Sequence, residues 1–257
     1  MGKVIAIVNQ KGGVAKTTTA VNLAAAIAER GRKVLLADMD PQGNATSGLG
    51  IERKSIEHCV YDVLINNAPV SAIIMPSGFK NLDILPATIQ LAGAEVELVN
   101  AISRENKLRR ALRPMTPFYD YMFIDCPPSL GLLTVNALAL ADELLVPLQC
   151  EYYALEGLSQ LMNTYQIVRA NINPELQLTG VLLTMFDSRT NLSSQVAEEA
   201  RAYFHELVYE TSVSRSVKLA EAPSHGQPGV FYDRHSRGAE EYQRLATEFL
   251  ARSGDLK

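Results

Sequence analysis

The chain has 257 residues, 47% of them hydrophobic and 20% charged, enough apolar material for one large α/β domain and too much for extended disorder. The formal net charge of -4 excludes an overall attraction to nucleic acid, so any such contact must come from a local basic patch. Cys59, Cys126 and Cys150 stand far apart with no CxxC pair, the usage of a reduced, cytoplasmic protein without a cysteine metal site.

The sequence runs from Met1 straight into a strand pattern, so no signal peptide is expected. No apolar run approaches the roughly 20 residues of a membrane span. Residues 3–9 form a short, mostly apolar run without alternation, the mark of a buried strand. Gly12 and Gly13 break it. Val21, Leu23, Ala24, Ile27 and Ala28 then give residues 17–29 an apolar helical face, and Gly31 supplies the stop. Residues 33–38 read as a second buried strand, completing a βαβ unit with parallel strands.

The alternation continues with a strand at 82–85, a helix at 94–112, a strand at 121–124 ending on Asp125, a helix at 130–141 and a strand at 143–148. A helix at 155–170, a strand at 177–184 and helices at 191–204 and 237–252 follow. This predicts a single doubly wound α/β domain over 1–257, a mostly parallel sheet flanked by helices. Ligands of such folds sit at the carboxyl ends of the strands. Asn9, Asp38, Asp125 and Thr184 all fall at such ends and are expected to converge.

The segment from Asn9 to Thr18 lies between a strand and a helix, the setting in which a glycine-rich run becomes a phosphate cradle. Lys11, Gly12, Gly13, Val14, Ala15, Lys16, Thr17 and Thr18 are its candidate ligands. Glycines let the backbone curl its N–H groups toward phosphate oxygens, and the following helix adds its N-terminal dipole. Lys16 fits the role of neutralising the β- and γ-phosphates, and Thr17 that of holding Mg²⁺. The bland alternative is a glycine-rich turn with an incidental lysine. The strict GxxxxGK[ST] pattern fails at both glycines, where Gln10 and Ala15 stand.

Lys11-Gly12-Gly13-x-x-Lys16-Thr17 resembles the deviant Walker A loop of the ParA/MinD class of P-loop ATPases. Asp38-Met39-Asp40-Pro41-Gln42-Gly43-Asn44 is similar to the ParA motif after the second strand. Phe123-Ile124-Asp125-Cys126-Pro127-Pro128-Ser129 is similar to the class's Walker B region. Two further signatures are residues 151–157 and Leu219-Ala220-Glu221-Ala222-Pro223-Ser224. Together these motifs span nearly the whole chain, and within the class the likeness is greatest to the small chromosomal, Soj-like ParA branch.

The resemblance implies binding of ATP and ADP with Mg²⁺, and an ATP-sandwich homodimer in which Lys11 reaches the partner's nucleotide. It implies a hydrolytic role for Asp40, a carboxylate that could orient the attacking water. Asp125 would bind Mg²⁺ through water, with Asp38 and Thr17 as further metal candidates; the alternative for these aspartates is a cap or turn role. By resemblance, residues 184–187 and 212–215 flank the base, so Met185, Ser214 and Arg215 are candidate contacts. The class usually has proline where Ser214 stands, and Met185 could equally be core.

Arg189, Arg215 and Lys218 are candidate DNA contacts, and Arg234, His235 and Arg237 form a second basic cluster. Such residues are as often merely solvated; the resemblance, which implies non-specific DNA binding by the ATP dimer, favours the DNA reading. It also implies a ParB-like (Spo0J-type) stimulator with a basic N-terminal segment, a nucleoid-associated location in the cytoplasm, and a part in chromosome partitioning, sporulation or replication control. No helix-turn-helix segment is expected before the strand at Lys3, nor the operator-binding role of larger ParA proteins.

Three alternatives stay open. A MinD-like ATPase would use a terminal amphipathic helix on a membrane. Here Tyr242, Leu245, Ala246, Phe249 and Leu250 make an apolar stripe, but the opposite face mixes Glu240, Glu241, Arg244, Glu248 and Arg252, which suits packing on the domain better. An electron-transfer ATPase resembling the nitrogenase iron protein would need two cysteines per subunit for a shared cluster, and only Cys126 lies in reach. A nucleotide-binding variant with impaired hydrolysis is the third: the class has glycine at Ala15, and a methyl group there would be strained if the position needs positive φ.

Overall fold

A computed structural model describes residues 2–151 and 154–255. In chain order the elements are β1 (Lys3–Ile7), α1 (Lys16–Glu29), β2 (Val34–Asp38), α2 (Asn44–Gly48), α3 (Val60–Leu64), β3 (Met75–Pro76), β4 (Leu82–Leu85), α4 (Leu91–Glu97), α5 (Lys107–Leu112), β5 (Tyr121–Asp125), α6 (Leu132–Leu140), β6 (Glu143–Gln149), α7 (Ala154–Asn171), β7 (Gln177–Thr184), α8 (Asn191–Phe204), α9 (Val217–Glu221), α10 (Gly229–Tyr232) and α11 (Arg237–Arg252).

The strands form one seven-stranded sheet in the order β3-β4-β2-β5-β1-β6-β7. Every pairing is parallel except that of β3 with β4. Both faces are covered, which is why the strands read as apolar runs rather than alternating ones. Val4, Ala6 and Val8 enter one core layer, while Ile5 and Ile7 enter the other with α1 and α11. The doubly wound architecture expected from the sequence is thus the one observed.

One long element is corrected. The helix expected over 94–112 is broken: α4 stops at Glu97, a 3₁₀ turn runs to Asn100, Ser103 takes φ 51°, and a second 3₁₀ turn leads into α5. Side chains of the neighbouring helix take over the backbone groups at the break. Asn136 of α6 donates to the Arg104 carbonyl at 2.8 Å and accepts from the Leu108 amide at 3.1 Å. Glu95 of α4 in turn accepts from the Leu132 and Leu133 amides that open α6. The sequence reading missed α2, α3, α9 and α10, each too short to show a helical period.

The terminal helix packs on the domain, as its mixed-charge face suggests. Its stripe of Tyr242, Leu245, Ala246, Phe249 and Leu250 is buried in the domain core, so it is not presented to a membrane. Part of its mixed-charge face is engaged as well: Glu241 is 2% exposed, and Glu248 accepts from the Glu210 and Thr211 amides.

Candidate nucleotide site

The site begins where β1 ends. Parallel pairing of β1 with β5, and of β5 with β2, brings Ile7 level with Asp125 and Asp125 level with Asp38. Asn9 closes the turn at the end of β1 by accepting from the Lys11 amide at 3.0 Å and donating to the Pro147 carbonyl at 2.7 Å. Thr184, ending β7, donates to the Val14 carbonyl at 3.1 Å. All four strand-end residues expected to converge therefore surround the glycine-rich loop.

The loop is shaped to hold a ligand rather than to satisfy itself. Helix α1 opens on Ala15, which provides no side-chain cap, and the Lys16, Thr17 and Thr18 amides have no acceptor among the described residues. Orphan donors at a helix start are an anion site. A Cβ on Gly12 or Gly13 would meet no protein atom within 4 Å, and Gly13 takes φ 78°, so these glycines line open space. Ala15 is left-handed, with φ 65° and ψ 32°, the conformation in which its methyl group is strained.

Lys16 is buried and donates from Nζ to the Lys11 carbonyl at 3.0 Å. Burial lowers its pKa, opposed by the charges of Asp125, Cys126 and Asp40. Lys11 has its own partner within the chain, Glu151, at 3.1 Å, and both side chains remain solvent-accessible. In the sequence signature at 151–157, Tyr152 and Tyr153 lie outside the described residues.

The two strand-end aspartates differ sharply. Asp38 is saturated: it accepts from the Asp40 amide at 3.1 Å and from the Thr46 amide and hydroxyl at 2.9 and 2.7 Å. Burial nevertheless raises its pKa to about 6, against those hydrogen bonds. Asp125 is 0% exposed and neither carboxylate oxygen forms a hydrogen bond within standard geometry. Burial first, then the neighbouring Asp38 charge, push it well above the usual carboxylate range, opposed by smaller pulls from Thr17 and Lys16. A buried carboxylate without a partner is costly, and a divalent cation beside it would remove the cost. Among the described residues no group of three or more His, Cys, Asp or Glu could hold a metal alone, so Mg²⁺ at Asp125 and Thr17 would complete its shell from nucleotide and water. Asp40 is buried and accepts from the Gln42 amide at 2.9 Å.

Next to the loop lies a cleft of about 780 Å³ lined by Ala15, Thr18, Met185, Ser214, Arg215 and Arg237 among others. Met185 is half-buried with φ 50°, so it belongs to this wall rather than to the core. Arg189 lines the same cleft at its exposed side; it is 87% exposed and grips Asp187 at 2.9 and 2.7 Å. Those bonds hold the Asp187 carboxyl down at about 2. Lys218 is also exposed and paired, with Glu221 at 3.0 Å, and sits over the Tyr232 ring. Arg234 pairs with Glu29, and Arg237 with Glu241. Of the basic residues picked from sequence, Arg189, Arg215 and Arg237 line this cleft, while Arg189, Lys218, Arg234 and Arg237 each already hold an acidic partner. Sequence reading missed Thr46, which locks Asp38, and Glu241, which holds Ser214; a hydroxyl and a carboxylate on short or amphipathic helices carry no distinguishing signal. The three cysteines are free and buried, so none offers a surface thiol for a shared cluster.

A family described as an AAA domain matches residues 2–178. The sporulation initiation inhibitor protein Soj of Bacillus subtilis (strain 168) is 61% identical over 251 residues, covering 98% of this chain and 99% of that protein. The chromosome partitioning protein ParA of Myxococcus xanthus is 56% identical over 98% of this chain and 89% of its own length. Among solved structures, a protein described as cobyrinic acid a,c-diamide synthase from Mycobacterium smegmatis, with bound ADP and magnesium, superposes with TM-score 0.86 at 39% identity. That match covers 99% of this chain and 96% of the other.

Proposed function

The chain belongs to the AAA-domain family of its Soj and ParA relatives, and we propose that it is a Mg²⁺-dependent ATPase whose ATP-bound dimer binds DNA in chromosome partitioning. The observation that carries this reading is Asp125, a buried carboxylate with both oxygens unpartnered at the mouth of a loop with orphan amides. The bound ADP and magnesium of the Mycobacterium smegmatis structure support it.

The first-turn amides of α1 and the Lys16 ammonium take the phosphate oxygens. Thr17 and Asp125 would hold the metal, and Asp38 braces the strand end behind them. Magnesium, when bound, neutralises charge on the β- and γ-phosphate oxygens. Asp40 orients the attacking water. Lys11 exchanges Glu151 for the nucleotide of a second protomer; a half-exposed ion pair is worth little in water, so the exchange is cheap and closure follows the ligand. Arg189, Arg215 and Lys218 form the DNA surface, where Arg189 and Lys218 trade Asp187 and Glu221 for backbone phosphates. A ParB-like partner with a basic segment would stimulate hydrolysis and release the DNA, and the ATP form would reside on the nucleoid. The left-handed Ala15 favours one refinement, a reduced rate of closure or turnover relative to a glycine at that position. A membrane-positioning role is disfavoured by the burial of the α11 stripe.

Size-exclusion chromatography with light scattering tests this reading. The monomer mass is expected with ADP, twice that mass with ATP, and co-elution with a DNA duplex only in the ATP sample. A monomer under every condition, or DNA binding indifferent to nucleotide, would overturn it.

A further inference from the structure

The wall of the 780 Å³ cleft is held from behind by a charge that the sequence placed on a solvent face. Glu241 of α11 is 2% exposed. Its Oε2 accepts from the Ser214 amide at 2.7 Å and from the Ser214 hydroxyl at 2.8 Å. Its Oε1 accepts from Arg237 Nε at 2.9 Å. The residue before Ser214 is pinned from the opposite side: the Val213 amide donates to the Leu183 carbonyl at 2.9 Å, and its carbonyl accepts from the Phe186 amide at 3.1 Å. Residues 213–214 are therefore clamped between β7 and α11, and Ser214 and Arg215 line the same cleft as Met185 and Ala15.

The clamp has a chemical consequence. Both hydrogen-bond donors of Ser214 are consumed by Glu241, and its carbonyl oxygen is its uncommitted polar group among the described residues. A wall that offers an acceptor matches a base edge with a donor. Adenine carries an amino group where guanine carries a carbonyl oxygen. Fixed, fully paired polar groups discriminate between bases far better than groups free to turn, because the wrong base then leaves a buried polar atom unpaired.

We propose that Glu241 is a specificity-determining positioning residue: by taking the amide and hydroxyl of Ser214, it makes the base wall select adenine over guanine. The proposal rests on the nucleotide reading above. Arg237 serves it by holding Oε1, which leaves Oε2 for Ser214. Replacing the carboxylate with an amide gives up a charge-assisted acceptor and introduces an NH₂ group that competes for the same geometry. The Ser214 hydroxyl is then free to turn toward the cleft, where guanine can use it.

The test is a binding titration of ATP, GTP and inorganic triphosphate against the wild-type chain, Glu241→Gln and Glu241→Asp, all with Mg²⁺. In Glu241→Gln the ratio of ATP to GTP affinity is expected to fall about tenfold, the scale of one hydrogen bond to a charged group. Affinity for inorganic triphosphate stays unchanged. Glu241→Asp, which keeps the charge but draws the carboxylate back from Ser214 by one methylene, moves the ratio in the same direction by a smaller factor and serves as the deciding variant if Glu241→Gln does not fold. A uniform loss for all three probes, or an unchanged ratio in a folded variant, overturns the proposal and leaves Glu241 a structural residue. Failure of wild-type chain to bind ATP at all would instead overturn the nucleotide reading.

Discussion

The two ends of the cleft, proposed to take the phosphates and the base, are built on different physical terms. At the phosphate end, ten consecutive residues from Asn9 to Thr18 and the ends of three adjacent strands supply the chemistry. The decisive groups there are backbone amides, glycines facing open space, and one unpartnered carboxylate. The base end is assembled from the end of β7, the loop before α9 and the start of α11, held together by side-chain hydrogen bonds such as those of Glu241. The first end is set by backbone groups and by strand register. The second is adjustable by single side chains, which is where variation in ligand preference can enter without loss of phosphate binding.

The largest expected effect sharpens the phosphate end. Lys16→Ala removes the buried cation beside Asp125 and should lower ATP turnover by about 100-fold or more, measured as steady-state phosphate release; a change below about tenfold would put the phosphates elsewhere. Next is Thr46→Val, which keeps the side-chain shape but strips Asp38 of its hydroxyl donor and Ala87 of its acceptor. Equilibrium unfolding should show a loss of about 2–3 kcal/mol, and an undiminished stability would mean that Asp38 is braced by other groups.

Ala15→Gly has a smaller effect. The left-handed methyl costs about 1 kcal/mol, partly offset by the greater freedom of glycine in the unfolded chain. Stability should change little while ATP affinity and ATP-dependent dimerisation rise several-fold, read by calorimetry and light scattering. If both stay as they are, the methyl is harmless. The smallest effect is at the exposed end of the base wall. Arg189→Ala should weaken DNA binding and reduce the slope of log affinity against log salt by about 1, with ATP affinity unchanged; an unaltered slope removes Arg189 from the DNA surface. Asp187, held at about 2 by Arg189, has a depressed pKa. Any stabilisation from the pair is therefore present above the ordinary carboxylate range and lost only as pH falls toward 2, so the wild-type contact should be insensitive to pH between about 5 and 8.

The contrast between the two ends also explains what the sequence made legible. The phosphate loop, the parallel sheet and the converging strand ends follow from contiguous residues, because glycines, a Lys-Thr pair and apolar runs each have a local signature. The break between α4 and α5 was hidden because Asn136, distant in sequence, supplies the hydrogen bonds that replace helical ones. The burial of Glu241 was hidden because Ser214, whose amide and hydroxyl it accepts from, is far along the chain and the helical period alone cannot reveal that contact. Ala15 was flagged from the family pattern, and its φ of 65° gives that flag a physical cause.

The central claim is that Asp125 is left unpartnered to receive a metal with the nucleotide. The most direct measurement is the thermal shift produced by ATP, with and without Mg²⁺, in the wild-type chain and in Asp125→Asn. The wild-type chain should show an ATP-induced rise in Tm that grows markedly with Mg²⁺. Asp125→Asn, relieved of a buried charge, should be at least as stable without ligand and gain nothing further from Mg²⁺. An equal Mg²⁺ increment in the two proteins would contradict the account.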